Sequence, residues 1–400
     1  LKASRPKWVE KTIGLESGQT FRRRDVAEAR ARLFRTGVFR RIHTSSDAVS
    51  PESDDGDKRV TFEVEESRRW QLAYGGRWED NRGLAVVADL LNRHSFGVGH
   101  MTGIRGILGA DQRSLRIYHV IPQVISERSS LEMLVEAKRE PLTDNIDVQG
   151  PEAWAQLTFP LTDRIHNRPY IRFSNPTLIE ETPDPDNPPD QRVISPLLGY
   201  QIAFDSTSRR IGEQRRKGVF VGVDLLGSHE SLGSDVTTLG LVSQLKYFWP
   251  FGKPGSGRFT WAQFWRGGVT EAKDQPVPLV DRFRVGGEFS VRGYPTNSLG
   301  PLDEDGNALG GEVLFVVNQE IHAQLLRTEN FGTVAALAFF DAGNVWLNRD
   351  SLGGGLFKSV GVGARYLSPV GPLRLDVGFP LDRRPDDPEY KIYIGFGSVF

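Results

Sequence analysis

The feature that most constrains this chain is a two-residue alternation of apolar with small or polar side chains, repeated from about residue 69 to the C-terminus. In Leu373 to Phe379 the odd positions are Leu, Leu, Val and Phe, and Arg, Asp and Gly lie between them. Such alternation indicates β-strands with one apolar and one polar face. A helical membrane protein is excluded, because the longest apolar run, Val334 to Phe340, has seven residues, whereas a membrane helix needs about 18.

Two architectures satisfy this pattern. A soluble sandwich buries its apolar faces against each other, whereas a membrane barrel exposes them to lipid and keeps the polar face inside. Gly, Ser, Arg, Asp and Lys recur on one parity, and aromatic residues cluster at strand ends like the girdles of a membrane barrel. We therefore predict a mainly β fold, an antiparallel transmembrane β-barrel. Its sixteen strands are predicted to begin near residues 69, 83, 99, 113, 129, 152, 167, 192, 215, 235, 257, 310, 331, 357, 371 and 389.

The first 66 residues differ from the rest of the chain. An amphipathic helix is predicted over residues 25–34, and two strands follow over residues 38–44 and 60–65. This order indicates a small α+β domain over residues 1–66, whose first strand we expect to lie upstream of the first residue. The barrel then occupies residues 67–400.

Charge within this first domain is uneven. Residues 1–41 hold 12 basic and 4 acidic side chains, whereas residues 42–66 hold 2 basic and 8 acidic ones. The basic segment suggests a surface that meets lipid headgroups or an acidic partner. A solvated helix face beside a charged loop is the alternative.

Composition excludes several classes of function. The 50 basic and 51 acidic residues leave a net charge of -1, which argues against a nucleic-acid-binding protein, because phosphate contacts need a clustered basic surface. Cysteine is absent and the seven histidines are scattered, so the usual zinc ligand sets are missing. The chain contains no G-x-S-x-G, P-loop or H-E-x-x-H motif. We therefore predict no catalytic residue, no metal site and no cofactor.

The most informative motif lies in a long predicted connection, residues 270–309. At 40 residues this segment is too long for a structureless loop unless it is functional or disordered. It contains Val291-Arg292-Gly293-Tyr294, preceded by Gly286-Gly287. These residues resemble the V/I-R-G-F/Y loop of the BamA/TamA superfamily of outer-membrane assembly proteins. The motif stands between the eleventh and twelfth predicted strands, which is where that family carries it.

Further segments support the resemblance. Phe340 to Val345 looks like the family's F-x-D-x-G segment, and Ser368 to Asp376 resembles its S-P-x-G-P-x-R-x-D turn and strand. Phe96 to Gly99 resembles an early F-G-x-G segment, and Leu33 to Phe39 is similar to the end of a polypeptide-transport-associated (POTRA) domain. The resemblance covers almost the whole chain and looks closest to the TamA branch.

The resemblance implies a location and a function. It implies a barrel in the bacterial outer membrane with its POTRA domain in the periplasm. The barrel would insert or export β-rich client proteins through its seam without nucleotide or cofactor, and it would not be an enzyme. Implied partners are unfolded outer-membrane or secreted clients, outer-membrane lipids and a periplasm-spanning TamB-like protein. Two alternatives stay open, a two-partner-secretion-type transporter and a barrel that anchors a missing N-terminal enzyme such as a patatin-like lipase.

The loop arginine is the first candidate site. In this family it pairs with an inward acid of the F-x-D-x-G segment, which implies that Arg292 pairs with Asp341. Asp376 is the second candidate, and Glu320 also lies on a polar parity. A bidentate pair would lock the loop inside the barrel, whereas the residues alone leave open that Arg292 lies on a mobile outer loop. Phe339 shares the inward parity of Asp341, which suggests packing against the loop or a bulge.

The barrel seam is the second candidate site. The first predicted strand carries Gly75 and Gly76, and the last carries Gly395 and Gly397. Glycine weakens a strand and supplies no cross-strand contact. The resemblance implies that the seam opens sideways and receives client strands by β-augmentation, whereas glycines that simply make room in the lumen are the alternative. Phe400 resembles the C-terminal signal by which outer-membrane proteins are recognised.

Overall fold

Two α-helices and nineteen β-strands form in the described part of the chain. The computed structural model describes all residues except 49–57, 80–82, 144–145, 181–193, 209–216, 253–257, 329–331, 369–370 and 398–400. The N-terminal unit consists of α1 (Pro6–Ile13), α2 (Arg23–Arg35), β1 (Phe39–Ala48) and β2 (Lys58–Glu66). The strands of the large sheet are β3 (Trp70–Glu79), β4 (Gly83–Ser95), β5 (His100–Gly109), β6 (Arg113–Pro122), β7 (Ser130–Pro141), β8 (Ile146–Pro160), β9 (Ile165–Ser174), β10 (Thr177–Glu180), β11 (Ser195–Asp205), β12 (Gly218–Ser228), β13 (Thr238–Phe251), β14 (Phe259–Ala272), β15 (Val313–Thr328), β16 (Gly332–Trp346), β17 (Phe357–Ser368), β18 (Gly371–Pro380) and β19 (Lys391–Gly397).

The large sheet is antiparallel and closes on itself. From β3 to β9 and from β11 to β19 each strand pairs with its neighbour in the chain, β9 pairs with β11, and β19 pairs with β3. The short β10 extends the line of β9 and pairs with the first residues of β8. The result is a closed barrel of sixteen strands, which confirms the predicted fold class and strand number.

The strand starts agree with the prediction to within three residues, except at β8. This strand begins at Ile146 rather than near residue 152, because Ile146 to Gln149 pair with β10. The sequence also predicts a connection rich in Pro and Asp over residues 178–191. Residues 178–180 belong to β10, and residues 181–191 lie outside the described residues.

The alternation seen in the sequence separates the two faces of the barrel wall. On β18, the outward Leu375 and Phe379 are each 42% exposed, whereas the inward Asp376 is 1% exposed. Outward apolar and inward polar side chains recur around the barrel, as a membrane barrel requires. Among the described residues, no helix has both the length and the apolarity to cross a membrane.

The long connection is shifted relative to its predicted bounds. Strand β14 continues to Ala272 and β15 starts at Val313, so the connection covers residues 273–312 rather than 270–309. The shift follows from strand pairing, since Val269 faces Val313 at the end of the β14–β15 ladder. This connection is called the inserted loop below.

The N-terminal unit packs as an α+β domain against one end of the barrel. The predicted helix is present as α2, and Gly37 with φ of 69° follows it. The sequence reasoning missed α1, whose Val9 packs with Leu33 in the small core of the unit. At the barrel rim, Arg32 of α2 forms an ion pair at 3.3 Å with Glu127 in the β6–β7 turn.

A carboxylate at the end of β2 holds the start of the chain. Glu66 accepts hydrogen bonds from the backbone N–H groups of Lys2, Ala3 and Ser4, each at 2.9 Å. Although partial burial raises the pKa of Glu66, the hydrogen bonds from Ser4 and its neighbours outweigh it and lower the pKa to about 2. The ionised form is therefore favoured by the folded unit.

We predict that acid releases this N-terminal segment. Because the folded pKa of Glu66 lies below its unfolded value of about 4.3, the stabilisation is complete above about pH 5 and is lost as the pH falls towards 2. A nitroxide label at Leu1→Cys, in a chain without cysteine, should become more mobile over this range. Glu66→Gln should be mobile already at pH 7, whereas the exposed Glu63→Gln should behave as wild type. Equal mobility in Glu66→Gln and wild type would contradict the prediction.

Candidate functional site

The inserted loop folds back into the barrel and builds a small core there. Its backbone forms isolated bridges, for example between Val285 and Leu299. Val291 and Tyr294 are fully buried and pack with Val316 on the inner face of β15. The apolar residues of the loop therefore hold the V-R-G-Y segment against the barrel wall, and this segment does not lie on an outer loop.

Arg292 is the centre of a buried ion-pair cluster. Its Nε donates to Asp341 Oδ2 at 2.7 Å and its Nη2 donates to Asp341 Oδ1 at 2.8 Å, a bidentate contact. Its Nη1 lies 2.7 Å from Glu320 Oε1 and 3.9 Å from Asp376 Oδ2. Arg292 is 5% exposed and Asp341 is 0% exposed. The structure thus brings together the loop arginine and all three acids singled out in the sequence.

Two further contacts complete the pairing of Arg292 and Asp341. The backbone N–H of Arg292 also donates to Asp341 Oδ2 at 3.1 Å. The guanidinium carbon of Arg292 lies 3.5 Å from the centre of the Phe339 ring, a cation–π contact. Phe339 therefore packs against the inserted loop. The β15–β16 ladder is regular at Asp341, and its one register shift lies between Gln324 and Leu326.

Asp376 has a main partner that the sequence reasoning missed. Arg365 donates to both carboxylate oxygens of Asp376, at 2.7 and 2.8 Å. Asp376 pairs in register with Gly363, and Arg365 with Arg374, so the pair forms along a diagonal across two adjacent strands. Period-2 alternation places Arg365 on the inner face, but the choice of partner depends on the register. Arg374 in turn contacts Glu288 of the inserted loop.

A close approach of two glycines positions the loop on β18. Gly293 has φ of +96°, a conformation that favours glycine. A Cβ added at Gly378 would lie 2.7 Å from Gly293 N and 2.9 Å from Arg292 C. These are backbone atoms, which could make room for the added Cβ only if the V-R-G-Y segment moved. The observed position of the loop against β18 therefore requires glycine at residue 378.

We predict that Gly378→Ala displaces the loop and lowers the free energy of unfolding of the barrel by about 1–3 kcal/mol, the usual cost of overpacking. Gly106→Ala is the matched control, because a Cβ there would meet only Ser114 O at 4.0 Å. The measurement is urea unfolding followed by the shift in gel mobility between folded and unfolded barrel. Equal unfolding midpoints for the two variants would show that the glycine contact does not position the loop.

The inserted loop also reaches both strands of the seam. The Tyr393 hydroxyl on β19 accepts from Gly293 N–H at 3.1 Å and donates to the Tyr294 carbonyl at 3.2 Å. On β3, Glu79 accepts from the Thr296 hydroxyl at 3.1 Å. Tyr393 and Glu79 face each other in the β19–β3 register. One short stretch of loop therefore holds a directly opposed pair of seam residues, a link that sequence reasoning did not find.

The seam glycines lie on both faces of the wall. Gly75 pairs with Gly397, and Gly395 pairs with Arg77, on the inner face. Gly76 pairs with Phe396 on the outer face, where an added Cβ would overlap the Phe396 ring. Room in the lumen thus cannot explain Gly76, which instead accommodates an aromatic ring across the seam. The predicted site residue Phe400 lies outside the described residues.

The comparisons with known proteins identify the family. The Omp85 superfamily domain matches residues 95–400. The chain belongs to the Omp85 superfamily. Its membership supports a location in an outer membrane, as the sequence predicts. Within the described residues of this Omp85 barrel, no three His, Asp or Glu side chains are grouped so that they could hold a metal ion.

Two curated relatives share sequence with this Omp85 chain. The outer membrane protein assembly factor BamA of Nitratidesulfovibrio vulgaris is 37% identical over 131 residues, 31% of this chain and 16% of the relative. The chain thus aligns with about one sixth of that protein. The sorting and assembly machinery component 50 homolog A of Xenopus laevis is 25% identical over 361 residues, 83% of this chain and 73% of the relative. Both names describe assembly components and neither is that of an enzyme.

Solved structures share the fold. The crystal structure of BamA from Haemophilus ducreyi lacking POTRA domains 1–3 superposes with a TM-score of 0.81, over 99% of this chain and 82% of that one, at 17% identity. CdiB from Escherichia coli superposes with a TM-score of 0.64 over 98% of this chain at 14% identity. At these identities the likeness concerns the fold.

Proposed function

We propose that this chain is the barrel of an outer-membrane assembly or translocation factor that handles β-rich client proteins at the β3–β19 seam without nucleotide. The proposal is supported by its Omp85 membership and by relatives named for the assembly of outer-membrane proteins and for sorting and assembly. A client would add its strand to the edge that β3 or β19 exposes when the seam parts.

The observation that carries this proposal is the contact of one loop with both strands of the seam. Tyr393 and Glu79 are opposed residues, and both bind the segment that follows Arg292. A second link crosses the seam beside them, since Lys391 Nζ lies 3.7 Å from Glu79 Oε1. A shift of the inserted loop would therefore change the seam directly. An ordinary barrel closure would not need a loop from distant strands at this position.

We assign the role of a lock to the V-R-G-Y segment. Arg292 ties the loop to β16 through Asp341 and to β15 through Glu320. Asp376, held by Arg365, adds a third negative charge on β18. In this proposal the charges fix the loop, the loop fixes the seam, and the seam glycines make the β3–β19 pairing easy to open.

Residues 1–66 are proposed to be a POTRA domain in the periplasm that receives clients. The superposition on a BamA structure described as lacking POTRA domains 1–3 extends over 99% of this chain and so includes this unit. We further propose that the chain is of the TamA branch, that this domain binds a TamB-like partner, and that its basic segment contacts lipid headgroups. These proposals derive from the V-R-G-Y and S-P-x-G-P motifs and from the 12 basic side chains within residues 1–41.

Reconstitution of the full-length protein in liposomes tests the function. We expect an unfolded outer-membrane β-barrel protein to gain protease protection and a folded gel mobility several-fold faster with the protein than in empty liposomes. Addition of ATP should leave the rate unchanged. Liposomes that carry an unrelated porin are the control for lipid defects. A client rate equal to that control would refute the proposal and would leave secretion of one partner or anchoring of an enzyme as the better account.

A further inference from the structure

A cavity of about 570 Å³ lies in the lumen below the tip of the inserted loop. The inner faces of β13 to β18 form its wall, and Glu288, Phe289 and Arg292 of the loop contribute to its lining. Its volume falls within the usual range of small-molecule sites, about 300–1,000 Å³. The cavity lies apart from the seam strands, because no residue of β3 or β19 lines it.

Part of the cavity wall is aromatic, which is unusual for the inner face of a membrane barrel. Phe248 of β13 and Phe264 of β14 face the lumen and pack edge to face, with ring centroids 5.6 Å apart. Phe289 at the loop tip is 67% exposed and also lines the cavity. These rings offer an apolar surface within the lumen that neither closure of the barrel nor contact with lipid requires.

Much of the remaining lining is charged. Six basic side chains and two acidic ones line the cavity. Of the two acids, Glu288 contacts Arg374, and Glu320 lies 2.7 Å from Arg292. Arg292 and Arg365 also have carboxylate partners outside the lining, Asp341 and Asp376.

Arg266 has no counter-charge among the described residues. Its Nε is buried without a hydrogen-bond partner, and no carboxylate lies within ion-pair distance in the described part of the chain. Its register partners are Gln244 and Val316, both of which line the same cavity. A buried N–H donor without a hydrogen-bond partner costs free energy, and an anion bound at this position would satisfy it.

We propose that this cavity binds a small amphipathic anion, an aromatic or aliphatic group that bears one carboxylate. Arg266 would receive the carboxylate, and Phe248, Phe264 and Phe289 would pack against the apolar part. The C-terminal residue of a peptide and a fatty acid share this chemistry. The inference goes beyond the proposed function and does not depend on it, because a barrel that assembles no client would still bind the ligand.

The test is calorimetric titration of the full-length protein in lipid nanodiscs. The peptide probe is N-acetyl-Ala-Phe with a free carboxylate, and its C-terminal amide is the neutral control. Octanoate is the fatty-acid probe. We expect at least one acid to bind and the amide to bind at least about tenfold more weakly, as the loss of a charge-assisted hydrogen bond implies. The relative affinities of the peptide acid and octanoate distinguish a peptide C-terminus from a fatty acid as the ligand.

Matched variants locate the site. Arg266→Gln should weaken binding of the acid at least about tenfold. Arg168→Gln removes an arginine of β9 that does not line the cavity and whose Nη1 donates to Gln201, and it should leave the affinity unchanged. Phe264→Leu should weaken binding of the peptide acid, because it removes part of the aromatic wall.

Three results would overturn the inference. One is the absence of heat with both acids in a protein whose gel mobility shows a folded barrel. The second is equal affinity for the acid and the amide, and the third is an equal loss in Arg266→Gln and Arg168→Gln. Failure of client insertion with intact acid binding would refute only the proposed function.

Discussion

Replacement of Arg292 by alanine is expected to release the inserted loop and to cost about 3–5 kcal/mol of the free energy of unfolding, because it leaves a buried charge without a partner. Asp341 is 0% exposed and receives both its side-chain ion pair and a backbone N–H from Arg292. Client insertion should fall strongly, while the barrel stays in the membrane. The free energy is measured by urea unfolding, and loop release by protease cleavage within residues 273–312.

Two variants separate charge from geometry at this position. Arg292→Lys keeps a positive charge near Asp341 and Glu320 but loses the bidentate contact, so we expect an intermediate loss. Reversal of both charges, with Arg292→Asp and Asp341→Arg, should recover part of the loss if the pair is coupled, although Glu320 and Asp376 also face this position. Wild-type insertion by Arg292→Ala would remove the lock from the mechanism.

A disulfide across the seam is expected to abolish client insertion. Trp78 and Ile394 are opposed in the β3–β19 register and share the outer face. Opposed Cβ atoms in an antiparallel pair lie about 4.5–5.5 Å apart, within reach of a bond after a small adjustment. The chain has no cysteine, so Trp78→Cys with Ile394→Cys gives an assignable crosslink. Insertion is measured in the oxidised protein and again after reduction.

The matched control places the same bond where no opening is proposed. Ile104 and Ile117 are opposed on β5 and β6, and they are 48% and 51% exposed on the outer face. Their cysteine pair should leave insertion unchanged in both redox states. Normal insertion by the locked seam would assign the seam to simple closure, and an equal loss in both pairs would trace the effect to oxidation rather than to the seam.

The barrel was predictable because period-2 alternation fixes both the strand type and the face of each side chain. Asp341, Asp376 and Glu320 were placed on the inner face for this reason. The pairing of Arg292 with Asp341 was implied only by the family resemblance, because alternation does not give the height of a side chain along the barrel axis. The resemblance therefore supplied the partner of Arg292, which the alternation alone leaves open.

Other features depended on register and on contacts between distant segments. The pairing of Arg365 with Asp376 needs the β17–β18 register, and the contacts of Tyr393 need the path of a loop almost 100 residues away in sequence. Strand β10 was missed because four residues are too few to show a periodic pattern. Helix α1 was missed because eight residues give only a weak helical pattern.

The path of the inserted loop has a consequence for the order in which this barrel folds. The loop joins β14 to β15, and its anchors Asp341 and Gly378 lie on β16 and β18, all within a continuous stretch of about 120 residues. Contacts close in sequence cost the least chain entropy and form early. Pairing of β19 with β3 joins the two ends of the sheet and is the most non-local contact of all. We therefore expect the C-terminal half to fold first around the inserted loop. The β3–β19 seam would then close last, when the loop already occupies the lumen.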